Sequence, residues 1–220
     1  MTNRLALFDC DGTLVDSQAN ICRAMEEAFT QARLDVPDRA AIRRIVGLSL
    51  VEAVAGLIPD AEPDLHVHLA QCYRDRFIEM RRSGGLAAEP LYDGIAETIE
   101  ALEASGWVLG VATGKSDRGL HLLLDHHGLR HRFVTLQTAD RHPSKPHPSM
   151  IETAMAEAGA TPATTVMIGD TSYDMAMAVT AGAHPLGVSW GYHDADELIA
   201  AGALRVLDRA NQIADYLERT

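Results

Sequence analysis

In the second half of this chain, short apolar runs alternate with stretches whose apolar residues recur at helical spacing. The runs are Trp107–Thr113, Phe133–Leu136, Thr165–Ile168, Pro185–Val188 and Arg205–Leu207, and segments such as Ile95–Ala104 and Met150–Ala158 supply the helices. This rhythm predicts βαβ units: an α/β fold with a parallel sheet covered by helices on both faces. A further short strand, Leu5–Phe8, comes first. From Ser17 to about Ala87 the rhythm stops and the pattern is helical throughout. Ile21, Met25 and Phe29 make one stripe, and Ser49-Leu-Val-Glu52 is a capping-box signature for another helix. The expected organisation is therefore a core of residues 1–15 and 88–220 with a helical block, 16–87, inserted after the first strand. Gly84-Gly85 and Pro90 mark the return hinge, and a block emerging there is positioned to act as a lid.

Composition narrows the class. With 220 residues, 47% of them hydrophobic, the chain can bury a substantial core. Acidic residues outnumber basic ones 31 to 19, a formal net charge of -12, and there is no basic block. Nucleic acid is a poor partner for such a surface, and an anionic substrate has to be drawn in by local cations. The run Leu5–Phe8 is too short for a signal peptide, and no apolar stretch approaches a membrane span. Cys10, Cys22 and Cys72 have no CxxC spacing, so neither a disulfide framework nor a cysteine zinc site is expected; Cys10 reads as a small buried hydrophobe. The expected compartment is the cytoplasm. His127 and His131 are interrupted by Gly128, so no helical zinc pair is expected either.

Three strand ends carry candidate chemistry. The first strand runs into Asp9-Cys-Asp11-Gly12-Thr13, and unpaired carboxylates at the end of a buried strand call for a cation. The strand WVLGVAT ends in Thr113-Gly114-Lys115-Ser116, which approaches a phosphate-wrapping GxxxxGK[ST] loop but is one residue short. What remains is a hydroxyl and free amides at a helix start, suited to a phosphate, or a simple helix cap. Val166-Met-Ile-Gly-Asp170 ends in a third carboxylate, followed at helical spacing by Asp174. An oxygen-only cluster of this kind suits a hard cation, Mg²⁺. Lys145 sits in Ser144-Lys-Pro-His-Pro148; it and Lys115 are the chain's two lysines, and both fall in these loops. A compact ammonium is suited to a phosphoryl oxygen.

Taken together, the segments DCDGT, VATGKS, SKPHP and GDTSYD, in this order, resemble the haloacid dehalogenase superfamily, specifically its phosphatases with an inserted helical cap, such as phosphoglycolate phosphatases. The resemblance spans the chain. It implies a Rossmann-like doubly wound core with an α-helical cap, and an Mg²⁺-dependent phosphatase acting on a small phosphomonoester. In that pattern Asp9 is the nucleophile and Asp11 the acid and base. Thr113 and Lys145 bind the phosphoryl group with the Gly114 amide, and Gly12 lies among the substrate-binding residues. Asp9, Asp170 and the Asp11 carbonyl hold the metal, while Asp174 supports a metal-bound water or orients Lys145. Arg43 and Arg44 of the cap are candidate contacts to a substrate carboxylate. Asp11 separates the chain from dehalogenases, and a cap without lysine separates it from phosphonate-cleaving relatives. Sugar phosphomutases carry a basic residue where Leu50 stands; a phosphomutase and a non-catalytic phospho-ligand-binding module are the alternatives. The implied partners are a small phosphate ester and, at most, a second copy of the chain in a homodimer.

Overall fold

The computed structural model describes residues 2–219. Its centre is a six-stranded, all-parallel sheet of β1 (Asn3–Phe8), β2 (Trp107–Thr113), β3 (Thr135–Thr138), β4 (Ala160–Gly169), β5 (His184–Val188) and β6 (Arg205–Leu207), in the order β3-β2-β1-β4-β5-β6. The order reverses at β1, so a crevice opens at the carboxyl ends of β1 and β4, where doubly wound sheets hold their ligands.

Strand periodicity builds the two apolar layers. Ala6 and Phe8 face a layer containing Ile95, Ile99 and Leu102 of α5 (Ile95–Ala104), Leu120 and Leu124 of α6 (Asp117–His126) and Ile213 near the end of the chain. Leu5 and Leu7 face the opposite layer, with Met150, Ile151 and Ala154 of α7 (Ser149–Ala158) and Met177 and Ala178 of α8 (Ser172–Ala181). The strand expected at Phe133 begins instead at Thr135. Phe133 precedes it as a buried anchor, its ring edge-on to Phe8 at 6.5 Å, so hydrophobicity there marks packing and not pairing. β4 also starts earlier than expected, through the more exposed Ala160–Thr164.

Between β1 and α5 run four helices: α1 (Gln18–Gln31), α2 (Arg39–Arg44), α3 (Leu50–Leu57) and α4 (Pro63–Arg82). They enclose an apolar cluster of their own, in which Ile21, Met25 and Phe29 of α1 meet Ile42, Val54 and Leu69. The outgoing and returning chains hydrogen-bond to one another: Asp16 N donates to the Pro90 carbonyl at 2.9 Å and Tyr92 N to the Leu14 carbonyl at 3.0 Å. Helix α3 starts at the expected place, but the capping box does not close. The Ser49 amide, which Glu52 would have capped, donates instead to Ser144 Oγ at 2.8 Å, while the Ser49 hydroxyl donates to Glu52. Among the described residues no helix is long and apolar enough to cross a membrane.

Candidate active site

Asp9 follows directly on β1 and Asp170 on β4, and the Asp9 amide donates to the Ile168 carbonyl at 2.9 Å, which fixes the two strand ends side by side. Both side chains are fully buried, as is that of Asp174 in the first turn of α8. One oxygen from each of the three carboxylates lies within 4.8 Å of the others.

Each carboxylate is held differently. Asp170 accepts from Thr13 Oγ1 at 2.7 Å and from the Tyr192 amide at 2.9 Å. A Cβ on Gly12, whose φ is +88°, would stand 2.2 Å from Asp170 Oδ2, so glycine here makes room for the carboxylate. Asp174 closes a capping box with Thr171, accepting the Thr171 hydroxyl at 2.7 Å, and presents its other oxygen to Lys145 Nζ at 2.6 Å. The same ammonium lies 2.8 Å from Asp9 Oδ1 as an ion pair. Asp9 Oδ2 has no hydrogen-bond partner at all.

The electrostatics follow from this crowding. The Asp9 carboxyl is raised to about 7: burial lifts it most, Lys145 pulls it part of the way back, and Asp174 and Asp11 add to the rise. Asp170 is driven well above the usual carboxylate range by burial and then by Asp9 and Asp174. Burial opposes the charge on Lys145, yet Asp174 and Asp9 outweigh it and hold the ammonium protonated. Three carboxyl groups share one ammonium in a buried site, and a further cation would let all three ionise together. With an oxygen-only donor set and one carboxylate oxygen unpartnered, these residues fit a hard divalent cation.

Asp11 is not part of that triad. Its carboxylate accepts the Ser17 hydroxyl and lies 2.8 Å from Lys115 Nζ in a largely buried ion pair. Burial alone would lower the Lys115 pKa; Asp11 reverses the direction and raises it. Thr113, the buried last residue of β2, accepts the Lys115 amide at 3.3 Å, whereas Ser116 caps α6 by accepting from Gly119 N at 3.2 Å. Gly114 lies under the helical block: a Cβ there would be 2.5 Å from the Leu48 carbonyl oxygen and 2.7 Å from that of Gly47.

Asp11 and Lys115 bound the sheet side of a cavity of about 560 Å³, and Leu48, Leu50, Tyr73 and Phe77 are among the residues on its helical side. The two arginines expected there are elsewhere. Arg44 is exposed and ion-paired to Glu197 of α9 (Ala195–Ala200), its carbonyl accepting from Tyr173 Oη at 3.2 Å; Arg43 contacts Gln18 at 3.4 Å. Neither lines the cavity, because α2 turns that face toward α8, α9 and α1. The cavity-lining arginines of the helical block are Arg74, Arg81 and Arg82 on α4.

Residues 6–188 match the family model of the haloacid dehalogenase-like hydrolases. The chain belongs to that family. It is 36% identical over 214 residues to the "Probable phosphatase IndB" of Dickeya dadantii, covering 95% of this chain and 91% of that protein. It is 26% identical over 218 residues to the phosphoglycolate phosphatase of Vibrio vulnificus strain YJ016, covering 97% and 96%. Among solved structures, one described as a "predicted phosphatase" from Clostridium acetobutylicum superposes with a TM-score of 0.88 at 25% identity, over 100% of both chains.

Several features of this haloacid dehalogenase-like hydrolase escaped the sequence motifs. The Lys115–Asp11 pair joins residues far apart in sequence, and the hint available was the scarcity of lysine. The Tyr192 amide on Asp170 comes from a loop with no motif at all. The stripe Tyr73, Phe77, Arg81 is visible as i, i+4, i+8 on α4, but helical spacing alone reads as core packing.

Proposed function

We propose that this phosphoric monoester hydrolase cleaves small phosphomonoesters by way of a phosphoryl group carried covalently on Asp9. The observation that carries the reading is Asp9 itself: a fully buried carboxylate at a strand end with one oxygen free of any hydrogen bond. That oxygen is available to attack phosphorus. The ester P–O bond breaks as the Asp9–phosphorus bond forms, and the leaving alkoxide takes a proton from Asp11, which enters this step as the carboxylic acid and leaves it as the carboxylate. Asp11 then takes a proton from water, whose oxygen attacks phosphorus, releasing inorganic phosphate and the free Asp9 carboxylate. Lys145, held between Asp9 and Asp174, and the buried Thr113 hydroxyl would bind the phosphoryl oxygens. Asp9, Asp170 and the Asp11 carbonyl would hold Mg²⁺, with Asp174 orienting Lys145. When bound, the cation offsets the charge of substrate and carboxylates and lets them approach.

Residues 16–87 read as a cap. Two contacts support this: the Gly47 and Leu48 carbonyls cover Gly114, and the Ser49 amide reaches Ser144 in the loop that carries Lys145. A capped site favours soluble small phosphates over phosphoproteins and nucleic acids. Leu50 lines the cavity where phosphomutases carry a basic residue, which disfavours that alternative, and the intact Asp9 and Asp11 disfavour a binding-only module. Phosphoglycolate, the substrate in the name of the Vibrio relative, is the first natural compound to assay. Three buried free cysteines suit the reducing cytoplasm. Hydrolysis of p-nitrophenyl phosphate with Mg²⁺, lost in its absence and lost in Asp9→Asn, is the expected result; Mg²⁺-independent turnover that survives Asp9→Asn would refute the reading.

A further inference from the structure

Helix α4 presents a ladder to the cavity. Tyr73, Phe77 and Arg81, at i, i+4 and i+8, all line it and all are half-buried. The Tyr73 and Phe77 rings stand 5.8 Å apart, and the Arg81 guanidinium lies over the Phe77 ring, 5.5 Å from its centroid. Tyr73 stands at the end of the ladder toward Asp11 and Lys115, which line the same cavity. At a helical rise of about 1.5 Å per residue, the ladder extends about 12 Å from there to Arg81.

Three properties of this surface have no use in binding a phosphate alone. Its volume, about 560 Å³, lies within the range of roughly 300–1,000 Å³ typical of sites for substantial organic ligands. The contacts of Gly47, Leu48 and Ser49 with the core show that this space remains with the helical block already seated, so a two-carbon glycolate group would leave the aromatic wall bare. Apolar surface contributes to binding when it is covered by apolar surface. Finally, the exposed Arg74, Arg82 and Arg118 and the half-buried Arg81 line the cavity of a chain whose net charge is -12, and none of their side chains forms an ion pair or hydrogen bond among the described residues. Other arginines of the same helical block, such as Arg23, Arg39, Arg44 and Arg76, are ion-paired to glutamates.

We propose that the preferred substrates are phosphomonoesters whose leaving group has an aromatic or similarly broad apolar body and a carboxylate at its far end. The body lies along Tyr73 and Phe77, and the carboxylate meets Arg81. The proposal rests on the phosphatase reading above and sets its substrate class, away from glycolate-sized groups. Arg81 is then a specificity-determining residue that acts on the end of the substrate remote from phosphorus.

The test uses the Mg²⁺-loaded full chain and a series of primary-alcohol phosphates, so that leaving-group reactivity stays nearly constant: 2-phosphoglycolate, benzyl phosphate, 4-carboxybenzyl phosphate and 4-aminomethylbenzyl phosphate. The expected order of kcat/KM is 4-carboxybenzyl, then benzyl, then phosphoglycolate, with the aminomethyl compound below benzyl. In Arg81→Gln the ratio of carboxybenzyl to benzyl kcat/KM falls about tenfold, as loss of a charge-assisted contact implies. In Arg76→Gln, at a position outside the cavity lining that is paired with Glu79 and bonded to Gln31 of α1, the ratio stays as in the wild type. A higher kcat/KM for phosphoglycolate than for both benzyl esters, or an unchanged ratio in Arg81→Gln, overturns the substrate assignment while leaving the phosphatase intact. Failure on the whole series and on p-nitrophenyl phosphate overturns the phosphatase reading, and the substrate assignment with it.

Discussion

Lys115 Nζ lies 2.8 Å from Asp11 Oδ1, with both side chains largely buried. The pair fixes the one carboxylate of the site that is not drawn into the triad of Asp9, Asp170 and Asp174. The ammonium and the Ser17 hydroxyl together fix the rotamer of Asp11, the residue proposed as acid and base. Lys115→Met should lower kcat about tenfold with little change in KM, since the residue positions Asp11 and does not grip phosphate. Lys115→Arg should recover part of the loss. A rise in KM with unchanged kcat, measured by steady-state kinetics, would show that Lys115 binds substrate instead.

Asp170 and Asp174 look alike in sequence and are expected to differ in effect. Asp174 is bound into a helix cap and the Lys145 ion pair, so Asp174→Ala should lower stability by about 3 kcal/mol, through a buried ammonium left with Asp9 alone and the loss of the carboxylate half of the capping box. Asp170→Ala should mainly raise the Mg²⁺ concentration needed for half-maximal activity. Chemical denaturation and Mg²⁺ titration separate the two; Ca²⁺ should support activity poorly because it takes longer bonds and more ligands. Equal shifts in Mg²⁺ requirement for both variants would contradict the distinction.

Gly12→Ala places a methyl group where the Asp170 carboxylate now lies, on a backbone with φ of +88°. The variant should bind Mg²⁺ more weakly and melt at a lower temperature, with a backbone cost of about 1 kcal/mol before any displacement of Asp170. Wild-type melting and Mg²⁺ dependence would show that the loop relaxes at no cost.

Arg44→Ala removes an exposed ion pair with Glu197, worth at most about 1 kcal/mol. Activity on small phosphates should stay within about twofold of wild type by the same reasoning. A tenfold loss of kcat/KM would return this arginine to the substrate.

The core was readable from the chain because each of its signals is local. Trp107–Thr113 and Ile95–Ala104 have the observed boundaries, since a strand buried on both faces and a helix facing one layer impose different periods on hydrophobic residues. Asp9 and Asp170 stood out because carboxylates interrupt apolar strands. Phe133 was less legible: its hydrophobicity serves a ring contact with Phe8, and nothing local separates that from strand pairing. The cavity was least legible. Whether an arginine on a helix meets solvent, a glutamate or a substrate depends on how the helices pack, and α2 and α4 offer Arg44 and Arg81 with the same local signal.

A phosphoryl group bonded to Asp9 separates the proposed mechanism from direct attack by water on the substrate. Asp11→Asn, which retains the nucleophile and lacks the base for the second displacement, is to be mixed with substrate and Mg²⁺, quenched in acid and analysed by peptide mass spectrometry. The expected result is one phosphoryl increment on the peptide containing Asp9, labile to alkali and absent from Asp9→Asn. Release of a stoichiometric first turnover of alcohol with no modified Asp9 peptide at any quench time would contradict it.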